Sequence, residues 1–188
     1  GDLDGDGVPD LVVGIPGEND NERGIVEVGG VLVMFMATDG LVMSTQKISN
    51  THGNFNLTNY TLDANDNFGA TAAVVGDLDV DGAIEVVVGA YYDDDGGSDA
   101  GAVYILFLTT DGLTKSAQKI SNSYGNLSPF YTLGSYDVFG TSSGSLGDVD
   151  GDGVVDMVVG AYGDDDGGSA AGAARAPARA HERAACLR

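Results

Sequence analysis

The chain has 188 residues, enough for one domain, and its formal net charge is −21, with Asp+Glu 29 against Lys+Arg 8. Four of those basic residues (Arg175, Arg179, Arg183, Arg188) lie at the C-terminal end, so the body is more acidic still. Such a surface repels nucleic acid and anionic membranes and suits cations, while a hydrophobic content of 43% is too high for a disordered acidic tail.

The first element is an acidic loop, "GDLDGDGVPD", which crowds Asp2, Asp4, Asp6 and Asp10 together. At about 5 Å and an effective dielectric near 20, each pair of carboxylates costs roughly 3 kcal/mol. A hard dication that takes six to eight oxygen ligands relieves that repulsion, and Ca²⁺ is the candidate. The loop recurs as "DLDVDGAIE" from Asp77 to Glu85 and as "DVDGDGVVD" from Asp148 to Asp156. An EF-hand would need flanking helices and a Glu at its twelfth position. Here the twelfth positions are Val13, Val88 and Val159. The expected ligands are therefore the side chains of the first, third, fifth and ninth positions and the carbonyl of the seventh. They are Asp2, Asp4, Asp6, Val8 and Asp10; Asp77, Asp79, Asp81, Ala83 and Glu85; Asp148, Asp150, Asp152, Val154 and Asp156. The sixth position is always glycine (Gly7, Gly82, Gly153), as a sharp turn at positive φ requires.

The segments between the loops repeat with them. "STQKISN" (44–50) matches "SAQKISN" (116–122), and "NFGATAAVVGDLD" (67–79) matches "VFGTSSGSLGDVD" (138–150). "EVVVGAYYDDDGGSDAGA" (85–102) matches "DMVVGAYGDDDGGSAAGA" (156–173). Within a unit, 70–75, 84–91, 101–108 and 114–121 read as short apolar, β-branched or alternating strands separated by glycine turns. Four antiparallel strands per repeat make the blade of a β-propeller. Residues 50–67 and 122–138 are the linkers from one blade's outer strand to the next blade's inner strand. The fold class is all-β, with about two and a half blades. Residues 1–66 hold the rear of one blade and a linker, 67–137 a complete blade and linker, and 138–173 the front of a third. Residues 174–188, "AARAPARAHERAACLR" less its first Ala, switch to Ala and Arg and read as a disordered tail resembling a read-through end.

With "FG" at Phe68-Gly69 and Phe139-Gly140, and the element Gly14-Ile15-Pro16, Gly89-Ala90-Tyr91 and Gly160-Ala161-Tyr162 behind each acidic loop, the chain resembles the FG-GAP repeats of integrin α-subunit β-propellers and their bacterial and algal relatives. The resemblance covers residues 1 to about 173. It implies a seven-bladed propeller of which this chain is a fragment, about three structural Ca²⁺ sites at the blade rims, and extracellular or cell-surface adhesion through a protein or glycan ligand. Two positions depart from the pattern. Glu85 replaces Asp at the ninth position, and Val80 stands where Gly5 and Gly151 stand in the other loops. The middle site is therefore expected to bind more weakly or to place its carboxylate differently.

The "DDDGGS" stretches at 93–98 and 164–169 read as solvated loops rather than further cation sites, because no spacing fixes ligand geometry. Phe68, Phe139, Tyr104 and Phe107 read as core between blades. Asn56, Asn59 and Asn126 head glycosylation sequons in the linkers. No nucleophile–base pair, zinc pattern or phosphate-cradling motif is present, so no enzyme activity is expected, nor nucleic-acid binding or direct membrane insertion. A metal-dependent hydrolase on a propeller scaffold and a truncated product without independent function are the alternatives. Open sheet edges at either end invite association.

Overall fold

In the computed structural model, which describes residues 1–19, 24–166 and 172–175, the strands form three antiparallel meanders. The first sheet is β1 (Leu11–Gly14), β2 (Val31–Met36) and β3 (Val42–Ile48). The second is β4 (Ala72–Gly76), β5 (Glu85–Ala90), β6 (Ala102–Leu108) and β7 (Thr114–Ile120). The third is β8 (Phe139–Gly147), β9 (Asp156–Ala161) and β10 (Ala173–Arg175). Each strand pairs with its neighbour in the chain, and the middle sheet is the complete four-stranded unit that the repeat leads one to expect. β10 takes in Ala174 and Arg175, the first residues of the Ala/Arg-rich segment, through antiparallel pairing with β9. The rest of that segment, with the expectation of disorder placed on it, lies outside the described residues.

Two cores alternate with the three sheets. Val31, Val33, Phe35 and Ile48 of the first sheet face Val86, Val88, Tyr104, Leu106 and Leu108 of the second, with Phe55 and Phe68 from the linker between them. Val87 and Val103 of the second sheet face Phe139, Met157 and Val159 of the third. Successive side chains of a strand point to opposite faces. β5 is therefore buried at every position and apolar from Val86 onward, because both its faces are covered. β2 alternates buried and half-buried positions because only one of its faces is. Phe68, Tyr104 and Phe139 are core residues as expected, while Phe107 is half-buried.

The dipeptide Phe-Gly and the glycine after each second strand form the joint between blades. Phe68 bridges in parallel to Gly29 of the preceding unit, and Phe139 does the same to Gly101. The Phe68 N–H donates to the Val28 carbonyl at 3.1 Å, and the Phe139 N–H to Ala100 at 3.0 Å. Gly69 and Gly140 then cross over the second strand of the unit before. A methyl on Gly14 would lie 1.8 Å from the Gly69 carbonyl oxygen, and one on Gly89 would lie 2.0 Å from that of Gly140. Glycine recurs at these positions because two backbones touch there.

Candidate metal centres in three acidic loops

Each acidic loop joins the inner strand of a blade to the next, or stands where that connection would be, and its carboxylates first organise the loop's own backbone. The first-position Asp accepts the N–H of the sixth-position glycine: Asp2 from Gly7 at 3.0 Å, Asp77 from Gly82 at 2.9 Å, Asp148 from Gly153 at 2.9 Å. The fifth-position Asp accepts the N–H of the seventh residue: Asp6 from Val8 at 2.7 Å, Asp81 from Ala83 at 2.9 Å, Asp152 from Val154 at 2.8 Å. The ninth residue closes the loop by accepting the N–H of the second: Asp10 from Leu3 at 2.8 Å, Glu85 from Leu78 at 2.5 Å, Asp156 from Val149 at 2.9 Å. All three loops thus hold one conformation, with Gly7, Gly82 and Gly153 at φ 90, 92 and 89.

These contacts leave carboxylate oxygens converging. Ligand atoms of Asp2, Asp4 and Asp6 lie within 4.8 Å of one another, as do those of Asp77, Asp79 and Glu85, and those of Asp148, Asp150 and Asp156. Asp10, Asp81 and Asp152, the remaining carboxylates expected at these loops, stand outside the three sets. Asp10 is buried and gives its second oxygen to the Met36 N–H at 3.0 Å, so both its oxygens serve the backbone. Asp81 pairs with a lysine. Val8, Ala83 and Val154 each donate their N–H to the fifth-position Asp.

Glu85 is the most informative of these side chains. It is fully buried, and while its Oε2 accepts the Leu78 N–H, its Oε1 has no hydrogen-bond partner among the described residues. An unpartnered buried oxygen costs about 1–3 kcal/mol, more for a charged group. Burial pushes the Glu85 carboxyl up to about 7; the Asp79 and Asp77 carboxylates add to this, while the Leu78 N–H and Lys115 oppose it. An oxygen-only donor set with one orphaned buried carboxylate oxygen fits a hard divalent cation.

Val80 carries strain in the same loop. It sits at φ 60, 86% exposed, where Gly5 and Gly151 sit at φ 78 and 80. The left-handed region costs a β-branched residue of order 1–2 kcal/mol. Val80→Gly is expected to raise stability by about 1 kcal/mol in urea titration, since no packing is lost at so exposed a site. A loss of stability would show that the loop backbone is not strained there.

Two lysines that the sequence reading passed over complete the acidic regions. Lys115 on β7 pairs with Asp79 at 2.9 Å and with Asp81. Its hydrogen bond holds the Asp81 carboxyl below the usual carboxylate range. Lys119, also on β7 and 1% exposed at its side chain, pairs with Asp93 at 2.6 Å and with Asp95. Its ammonium stands 5.3 Å and 5.2 Å from the ring centres of Tyr104 and Tyr124. The Tyr104 hydroxyl donates to Asp93 at 3.0 Å. Burial works against the Lys119 charge, yet Asp93 and Asp95 hold it above its ordinary value. Burial also pushes neighbouring Asp66 up to about 7. The first "DDDGGS" stretch is therefore not a solvated loop: Asp93 is buried and ion-paired, while Asp94 is exposed. Asp164 in the second stretch is also buried and accepts the Tyr131 hydroxyl.

Comparison with known proteins agrees with this architecture. The sequence model of the FG-GAP repeat matches residues 1–34. Integrin alpha-IIb of Mus musculus is 34% identical over 164 residues, 86% of this chain and 14% of the relative. Integrin alpha-4 of Xenopus laevis is 36% identical over 163 residues, again 86% of this chain and 14% of the relative. Integrin alpha pat-2 of Caenorhabditis elegans is 37% identical over 99 residues, 50% of this chain and 7% of the relative. The chain thus spans about one seventh of the length of the first two.

Proposed function

We propose, taking as premise that this chain is an FG-GAP repeat protein similar to the integrin α subunits, that it is a calcium-binding β-propeller segment of a secreted or cell-surface adhesion protein. Its partner is a protein ligand, and its Ca²⁺ is structural. Its blades divide at 1–66, 67–137 and 138–173. The observation that carries the metal reading is the buried Glu85 oxygen without a partner, set against Asp77 and Asp79 in a loop that two other repeats reproduce. The residues that would hold the ion are Asp2, Asp4 and Asp6; Asp77, Asp79 and Glu85; Asp148, Asp150 and Asp156. When bound, Ca²⁺ supplies positive charge that offsets the repulsion among each set. The ninth-position side chain then ties the loop to the strand behind it. A binding role is favoured over catalysis because the three loops repeat the same backbone contacts, whereas a catalytic centre is normally single. Among the described residues no helix is long and apolar enough to cross a membrane.

Asp150→Ala tests the reading, because Asp150 is exposed and its only hydrogen bond among the described residues is a 3.2 Å contact from the Asp152 N–H. Calorimetric titration should show one fewer equivalent of Ca²⁺. At a metal concentration about 100 times Kd, the variant should lose about 2.7 kcal/mol more stability in Ca²⁺ than in chelator. An equal loss in both would count against a metal at this loop.

A further inference from the structure

The three acidic loops share a backbone but not a charge balance. In the middle one, the Lys115 ammonium reaches from β7 to Asp79 at 2.9 Å and to Asp81. These are the third- and fifth-position carboxylates, and their partners in the first loop, Asp4 and Asp6, bear no ion pair among the described residues. The register explains the difference. Ser116 pairs with Phe107 and Thr114 with Leu108 across β6 and β7, just as Ser44 pairs with Phe35 and Val42 with Met36 across β2 and β3. Lys115 therefore occupies the place of Met43, which is 60% exposed.

We propose that Lys115 is a tethered counter-cation of the middle loop. It neutralises Asp79 and Asp81 without metal, and a divalent cation enters only by displacing it. The proposal rests on the reading of the loops as cation sites. Two observations support it. Lys115 contacts two carboxylates of the loop at once. The Glu85 oxygen remains without a partner even with the ammonium in place, so Lys115 satisfies only the outer part of the loop and leaves a demand for positive charge within it. The loop is accordingly weakened toward Ca²⁺, not closed to it. An ammonium with three donors and one charge replaces part of what a dication with six to eight oxygen ligands would do. The middle blade, with strands on both its faces, thus keeps its inner loop ordered when Ca²⁺ is scarce, while the first loop relies on metal.

The test is calorimetric Ca²⁺ titration of the whole chain, alongside thermal unfolding in Ca²⁺ and in chelator, for the wild type, Lys115→Met and Met43→Lys. The wild type should show one class of sites binding at least about tenfold more weakly than the rest, about 1.4 kcal/mol at one site. Lys115→Met should strengthen that class about tenfold and lower the midpoint in chelator, but not in saturating Ca²⁺. A merely structural lysine would lower both midpoints. Met43→Lys should weaken one further equivalent about tenfold, and because Met43 is exposed this variant tests the idea even if Lys115→Met folds poorly. Equal wild-type sites that neither substitution changes would overturn the proposal and leave the metal reading standing. No Ca²⁺ uptake by any of the three proteins would overturn the metal reading, and this proposal with it.

Discussion

Gly69→Ala is expected to lower stability by about 2–4 kcal/mol. Two costs combine. Gly69 sits at φ 95, where alanine is strained by about 1 kcal/mol. The new methyl would also stand 2.1 Å from the Gly30 carbonyl oxygen, a backbone atom that cannot step aside without moving the blade it belongs to. Overpacking of that kind typically adds 1–3 kcal/mol. Gly40 separates the two terms. It turns the hairpin between β2 and β3 at φ 83, and a methyl there would meet nothing within 4 Å. Gly40→Ala should therefore show the strain alone, about 1 kcal/mol, in the same urea titration. Equal losses for the two variants would mean that close approach at the interblade joint does not matter.

Lys119→Ala is expected to cost about 3–5 kcal/mol, because removing one partner of a buried ion pair leaves the other charge uncompensated. Asp93, 2% exposed, would retain the Tyr104 hydroxyl and the Asp95 N–H at 3.1 Å, but no cation. Lys47 is the internal control. It stands at the same place in the "QKIS" strand of the first sheet and pairs with Glu18, but both side chains remain about 30% exposed, at 29% and 31%. Screened pairs of this kind contribute about 0–1 kcal/mol. Lys47→Ala should thus be nearly silent, and a loss there as large as at Lys119 would show that burial is not what sets the difference.

That contrast marks where sequence reading stopped. The strands were legible because apolar β-branched runs bounded by glycine turns have few other uses: the segments read at 84–91, 101–108 and 114–121 differ from β5, β6 and β7 by no more than one residue at either end. The loop backbone was legible because its carboxylates and glycine recur at fixed spacing, and the first-, fifth- and ninth-position carboxylates each accept a backbone N–H within nine residues. What spacing could not disclose is which carboxylates meet a distant cation. Lys115 and Asp81 are brought together by the register of β7 on β6, and Lys119 and Asp93 by the burial of the adjoining hairpin. The two "QKIS" strands are identical at Lys47 and Lys119, so nothing local distinguishes a half-exposed ammonium from a buried one. The distinction comes from Tyr104 and Tyr124, whose rings stand beside the Lys119 ammonium. The ninth position was read as a ligand, but in the first loop Asp10 gives both oxygens to backbone N–H groups.

The central claim is that the repeated acidic loops are cation sites on which folding depends. Thermal unfolding of the whole chain in CaCl₂ at about 5 mM, above the ~10⁻⁴–10⁻³ M range typical of extracellular calcium modules, against excess EDTA and against equal MgCl₂, tests it most directly. The midpoint is expected to be several degrees higher in Ca²⁺ than in EDTA, with Mg²⁺ close to EDTA. The same midpoint in all three solutions would contradict it.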